Sequence, residues 1–167
     1  MMKTLATAKP FCDFSPRALE VLSQVAERRS FEEGQTVFSE GDPAEWAFVV
    51  ESGRLQASKR SNEGIEVRLR ELRPGDAGGL TSVSYEGRRS ASVRALEPSV
   101  LVTLPKARLA GVALEMPEIG AALVAFLGDK VRAKTSELAA LLARGGRDPR
   151  EQIAFFDAQP YDEAAFT

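Results

Sequence analysis

Phe38-Ser-Glu-Gly-Asp-Pro-Ala-Glu-Trp-Ala-Phe-Val-Val-Glu-Ser-Gly-Arg-Leu-Gln-Ala-Ser-Lys-Arg60 sets two short apolar runs between glycine turns, and that rhythm decides the fold. Trp46 to Glu51 is rich in aromatic and β-branched residues and reads as a strand. The turn Ser39-Glu-Gly-Asp-Pro43 opens it and Ser52-Gly53 breaks it. Leu55 to Arg60 alternates weakly, and Ser61-Asn-Glu-Gly64 closes a hairpin loop. Upstream, Phe31, Val37 and Phe38 lie in brief extended pieces split by Glu32-Glu-Gly34. Downstream, Glu66 to Leu72 alternates strictly, which puts Val67 and Leu69 on the covered face of a half-buried strand, with Glu71 or Leu72 at its end. Pro74-Gly-Asp76 is a turn, and Ser90 to Ala95 and Val100 to Leu104 add two strands. Many short strands with closely spaced turns predict a barrel or sandwich.

The flanks have helical period. Ser15 is an N-cap before Pro16, and Leu19, Leu22 and Val25, with Val21 beside them, form one apolar face. A short helix is predicted from Lys106 to Leu114, and a long one from Pro117 to Ala143, closed by Gly145-Gly146. The fold class is therefore mainly β with flanking helices: an N-terminal helix, a β-roll or jelly-roll barrel, a short helix and a long C-terminal helix. In the long helix Ile119, Leu123 and Phe126 form a face suited to the barrel. Val124, Leu127, Val131, Lys134, Leu138 and Leu141 form a heptad seam with one polar break. Arg147-Asp-Pro-Arg150 reads as a linker, and Gln152 to Asp157 as a strand-like run without a nearby partner. One domain spans 11–143, followed by a linker and tail at 144–167.

With 167 residues, 44% hydrophobic and 28% charged, the chain can bury one core. A net charge of −2 gives no basic field for nucleic acid or an anionic membrane. Histidine is absent, which removes the commonest metal ligand and general base; neither a metal site nor a catalytic residue is expected. The single cysteine, Cys12, excludes an internal disulfide, suits a reducing cytoplasm and is read as a small residue packed near the first helix. No apolar run approaches the ~18 residues of a membrane span, and the N-terminus lacks a signal peptide's apolar run. A cytoplasmic location is expected.

Four elements then fall in order: Phe38-Ser-Glu-Gly-Asp-Pro-Ala44, Phe48-Val-Val-Glu-Ser-Gly-Arg-Leu55, Leu72-Arg-Pro-Gly-Asp76 and Arg89-Ser-Ala-Ser-Val-Arg-Ala95. Over residues 11 to 143 the chain resembles the cyclic-nucleotide-binding domain family, which includes the sensor half of the catabolite activator protein and the regulatory parts of cyclic-nucleotide-gated channels. The resemblance implies a regulatory sensor, not an enzyme, with cyclic AMP or cyclic GMP as ligand and no other cofactor. It implies a phosphate cassette that Gly78 and Gly79 open, that runs through Leu80, Thr81 and Ser82, and that Arg89, Ser90 and Ala91 close. Arg89 would pair with the phosphate and Ser90 would add donors. The physics fits, since a helix N-terminus presents unpaired N–H groups and arginine a fixed cationic fork. Family members dimerise through the long helix and set the purine against it; by that resemblance Lys134 and Thr135 lie near the base and the chain forms a parallel homodimer.

The chain departs from the pattern at one place. The family's glutamate after the cassette glycine, which accepts from the ribose 2′-hydroxyl, is replaced by Leu80, or by Gly79 if shifted by one. Thr81 or Ser82 would be neutral substitutes. An unpaired buried hydroxyl costs about 1–3 kcal/mol, roughly tenfold to a hundredfold in affinity. The pocket then binds cyclic nucleotide weakly, prefers another nucleotide, or is empty, which leaves a degenerate interaction scaffold as the alternative function. Arg88, beside Arg89, either adds charge for a more anionic ligand or is exposed. The tail, with Asp148, Glu151, Asp157, Asp162 and Glu163, is too short and acidic to read DNA. Its Ile153-Ala-Phe-Phe-Asp-Ala-Gln-Pro-Tyr-Asp162 resembles the opening of D-2-hydroxyacid dehydrogenases of the D-lactate type, which would make the chain the front end of a fused enzyme; a plain C-terminal strand or tail is the other reading.

Overall fold

The computed structural model of the chain describes residues 1–9, 11–81 and 87–144, which divide into two units between Phe126 and Leu127. The first unit opens with α1 (Met2–Ala6), a 3-10 turn at Phe11–Asp13 and α2 (Pro16–Val25). Ser15 caps α2 as expected, its Oγ accepting from the Ala18 N–H at 3.3 Å, with Pro16 in the first turn. Ala18, Leu19 and Leu22 are the buried side of that helix.

Eight strands follow: β1 (Glu27–Phe31), β2 (Thr36–Phe38), β3 (Trp46–Ser52), β4 (Leu55–Arg60), β5 (Glu66–Leu72), β6 (Ala77–Gly78), β7 (Ser92–Ala95) and β8 (Ser99–Pro105). They make two antiparallel four-stranded sheets, ordered β1-β8-β3-β6 and β2-β7-β4-β5. The pleat sends successive β3 side chains to opposite faces. Ala47 and Val49 enter a core shared with the helices, while Phe48 and Val50 enter a second core with Leu55, Leu72, Val93 and Leu101. Because β3 is covered on both faces, its sequence reads as a continuous apolar run. After β8 come α3 (Lys106–Glu115) and α4 (Pro117–Arg144). Ile119 is fully buried and Leu123 and Phe126 pack beside it, as the first face of the long helix predicted. The Glu118 carboxylate accepts from both the N–H and the hydroxyl of Ser15, at 2.7 and 2.9 Å, which ties the start of α4 to the cap of α2.

Two local readings are corrected, and one element was not foreseen. The alternation of β5 does not mark a half-buried strand: Val67 and Leu69 are exposed and only Leu72 is buried. This strand is the edge of its sheet, paired on one side only, and among the described residues no element covers its outer end. Cys12 is exposed rather than packed. The five-residue α1 went unforeseen because one turn and a half has too little periodicity to read. The linker, the strand-like run and the dehydrogenase-like segment lie outside the described residues, as do Gly145 and Gly146. Among the described residues no single helix is long and apolar enough to cross a membrane.

Candidate functional site

The turn that precedes β3 builds the site. Asp42 Oδ2 accepts from the Ser39 N–H at 2.8 Å, and Gly41 takes φ +88°, a backbone form that only glycine adopts readily. The returning chain binds this turn on both sides. Gly41 N–H donates to the Arg89 carbonyl at 2.9 Å, Arg89 N–H donates to the Asp42 carbonyl at 2.8 Å, and Ala44 N–H donates to the Gly87 carbonyl at 2.7 Å. The backbone of Arg89 is therefore fixed by the Ser-Glu-Gly-Asp-Pro turn, whose Asp42 lies 47 residues upstream in sequence.

From that anchor the Arg89 side chain runs inward. The residue is 3% exposed, and among the described residues none of its three guanidinium nitrogens has a hydrogen-bond partner. Its Cζ lies 3.9 Å from the centre of the Phe38 ring and 4.7 Å from that of Trp46. Cation–π attraction of this kind contributes about 0.5–2 kcal/mol. An effective cost of several kcal/mol attends an ion taken out of water, so two ring faces offset only part of it. Burial accordingly pushes the Arg89 pKa down to about 10, against the pull of Asp42 and Glu45 and with a further push from Arg29. A buried guanidinium with unused donors is a site for an anion.

Glycines make room for the guanidinium and the ring beside it. A Cβ at Gly78 would overlap the Phe48 ring. Gly79 has φ +76°, and a Cβ there would stand 2.5 Å from Arg89 Nη1 and 3.2 Å from the Trp46 carbonyl. The structure thus places Gly79, not Leu80, against the guanidinium. Leu80 is 4% exposed and belongs to the core shared with the helices. Leu80 and Thr81 are helical and Thr81 is exposed, while Ser82 lies outside the described residues. Ser90 is exposed and Ala91 half-buried. Arg88 is exposed, its Nη1 donating to the Gly41 carbonyl at 2.9 Å, so it serves the turn.

Lys134 and Thr135 lie in the second unit with local partners: Lys134 Nζ to Glu137 Oε2 at 2.8 Å, and Thr135 Oγ1 donating to the Val131 carbonyl at 3.0 Å. Sequence reasoning brought Gly78, Gly79 and Arg89 together but missed the aromatic pair. Trp46 alternates in phase with the inward Phe48, and that period could have found it.

The profile of the family described as cyclic nucleotide-binding domain matches residues 28–115. The CRP-like cAMP-activated global transcriptional regulator of Mycobacterium tuberculosis is 28% identical over 142 residues, 85% of this chain and 63% of the relative. The cyclic AMP receptor protein of Thermus thermophilus is 28% identical over 128 residues, 77% of this chain and 59% of the relative. The chain thus spans about three fifths of the length of these curated relatives. The crystal structure of the Thermus thermophilus catabolite activator protein superposes with a TM-score of 0.73 at 27% identity, covering 83% of this chain and 72% of that one.

Proposed function

The chain belongs to the cyclic nucleotide-binding domain family, as a regulatory sensor domain, and from that premise we propose that Arg89 is the anchor for the ligand's phosphate. The observation that carries this reading is the guanidinium, 3% exposed and without a partner among the described residues, above the glycine-opened cassette. Gly78 and Gly79 let the ligand approach; the N–H groups near Leu80 and Thr81, with Ser82, Ser90 and Ala91, complete the phosphate contacts. Cyclic AMP is the first candidate ligand, as both bacterial relatives are named for cyclic AMP, and cyclic GMP the second. Gly79 offers no acceptor to a ribose hydroxyl, so affinity is modest. The binding domain is placed at residues 11–143. Its output runs through α4, whose exposed seam pairs with a second copy. No catalytic step, resident cofactor or DNA contact is part of this function.

Isothermal titration of the chain with cyclic AMP and cyclic GMP, beside an Arg89→Gln protein, tests the anchor. Charge-assisted hydrogen bonds contribute about 1.5–3 kcal/mol each, so the substitution should weaken binding roughly tenfold to a hundredfold. Equal affinities in the two proteins would remove Arg89 from the site.

A further inference from the structure

A second guanidinium stands on the same tryptophan. Arg29 Cζ lies 4.9 Å from the Trp46 ring centre and Arg89 Cζ 4.7 Å, so the two charges are within about 10 Å of each other. The strand register explains the placement. Arg29 pairs with Leu101 across β1 and β8, Leu101 pairs with Val50 on β3, and Leu101, Val50 and Phe31 all enter the core between the sheets. Alternation therefore turns Arg29 to the face that carries Trp46 and Phe48, while Arg28 turns to the other face and meets Glu51.

The countercharge available to Arg29 is thin. Glu27 Oε2 stands 3.6 Å from it, and the other oxygen of that carboxylate stands 3.6 Å from Arg108. Around Arg89 the nearby acids are Asp42, whose Oδ2 is already engaged by the Ser39 N–H, and Glu45. Arg29 is 42% exposed at its side chain, so it can be reached from outside. Two guanidinium groups over one ring repel each other, and a ligand with two negative groups relieves both at once.

We propose that this site selects nucleotides carrying two separate phosphate groups over those carrying one, with Arg89 holding the first and Arg29 the second. The inference rests on the reading of Arg89 as a phosphate anchor. The shared chemistry is a bis-phosphorylated nucleotide, whether two phosphates sit on one sugar or bridge two nucleosides in a ring.

The test compares cyclic AMP with adenosine 3′,5′-bisphosphate and with cyclic di-AMP by isothermal titration of the full chain, at ~0.15 M salt. Quenching of Trp46, the only tryptophan, is the second readout. At least one bisphosphate should bind about tenfold more tightly than cyclic AMP, and which of the two does so identifies the ligand's architecture. Arg29→Gln should abolish that advantage while changing cyclic AMP affinity less than about twofold. No advantage in the wild-type chain, or an Arg29→Gln protein that weakens all three ligands alike or none, overturns the inference alone. Arg89→Gln should weaken all three; if it weakens none, the anchor reading falls and this inference with it.

Discussion

Arg89 is costly to the empty protein. Its charge sits 3% exposed without a partner among the described residues, balanced only by Phe38, Trp46 and more distant acids. Arg89→Met keeps the length and removes the charge, so it should raise the unliganded stability by about 1–3 kcal/mol in urea denaturation. A loss of stability would mean that the guanidinium already has its countercharge. At this scale the sequence was informative where a motif fixes a residue's backbone, as the Asp42 turn fixes Arg89. It was silent on Arg29, because the contact between Arg29 and Trp46 spans β8 and depends on a strand register that no local pattern records. It also left Gly79 and Leu80 open as the residue facing the ligand. The pairing of Gly78 with Phe48 decides between them, since the next residue then faces Arg89.

Among the elements, α1 and β1 are joined through one carboxylate. Glu51 on β3 accepts from Arg28 Nε and Nη2 at 2.7 and 2.8 Å and from Thr4 Oγ1 at 2.8 Å. The Arg28 hydrogen bonds, against partial burial and with help from Thr4, hold the Glu51 pKa at about 2 instead of 4.5. A lowered carboxylate pKa stabilises the fold fully above the unfolded value and loses that contribution as pH falls through the folded one. Stability should therefore fall between pH 4.5 and about 2, and Glu51→Gln should flatten that slope, by about 1 kcal/mol after solvent screening. An unchanged slope, measured by thermal unfolding across that range, would show the link to be idle. The helices α2, α3 and α4 and most strand segments were legible because caps, prolines and periods are local; the order of the strands in the two sheets was not. The exposure of β5 was not, since alternation records two chemically different faces and says nothing of whether either is covered.

For the whole molecule, the long helix presents Val124, Val131, Leu138 and Leu141, each more than half exposed, at heptad spacing. Sedimentation equilibrium should find a dimer at micromolar concentrations, and the double substitution Val131→Glu with Leu138→Glu should give a monomer with an intact barrel by circular dichroism. A wild-type chain that sediments as a monomer would assign the seam another role. The two cores divide labour at this scale. The helix-side core holds Leu80 and Ile119, and the inter-sheet core carries Phe48 with Phe38 and Trp46 packed against it, so ligand chemistry and helix packing meet at the Gly78–Leu80 segment.

The central claim concerns one side chain and one phosphate, and the nitrogen resonance of Arg89 Nε reads both. In 15N-labelled protein, with Arg89→Lys used for assignment, saturating cyclic AMP should move the Arg89 Nε–Hε signal and slow its exchange with water. A signal that stays in place while the nucleotide binds would contradict the account.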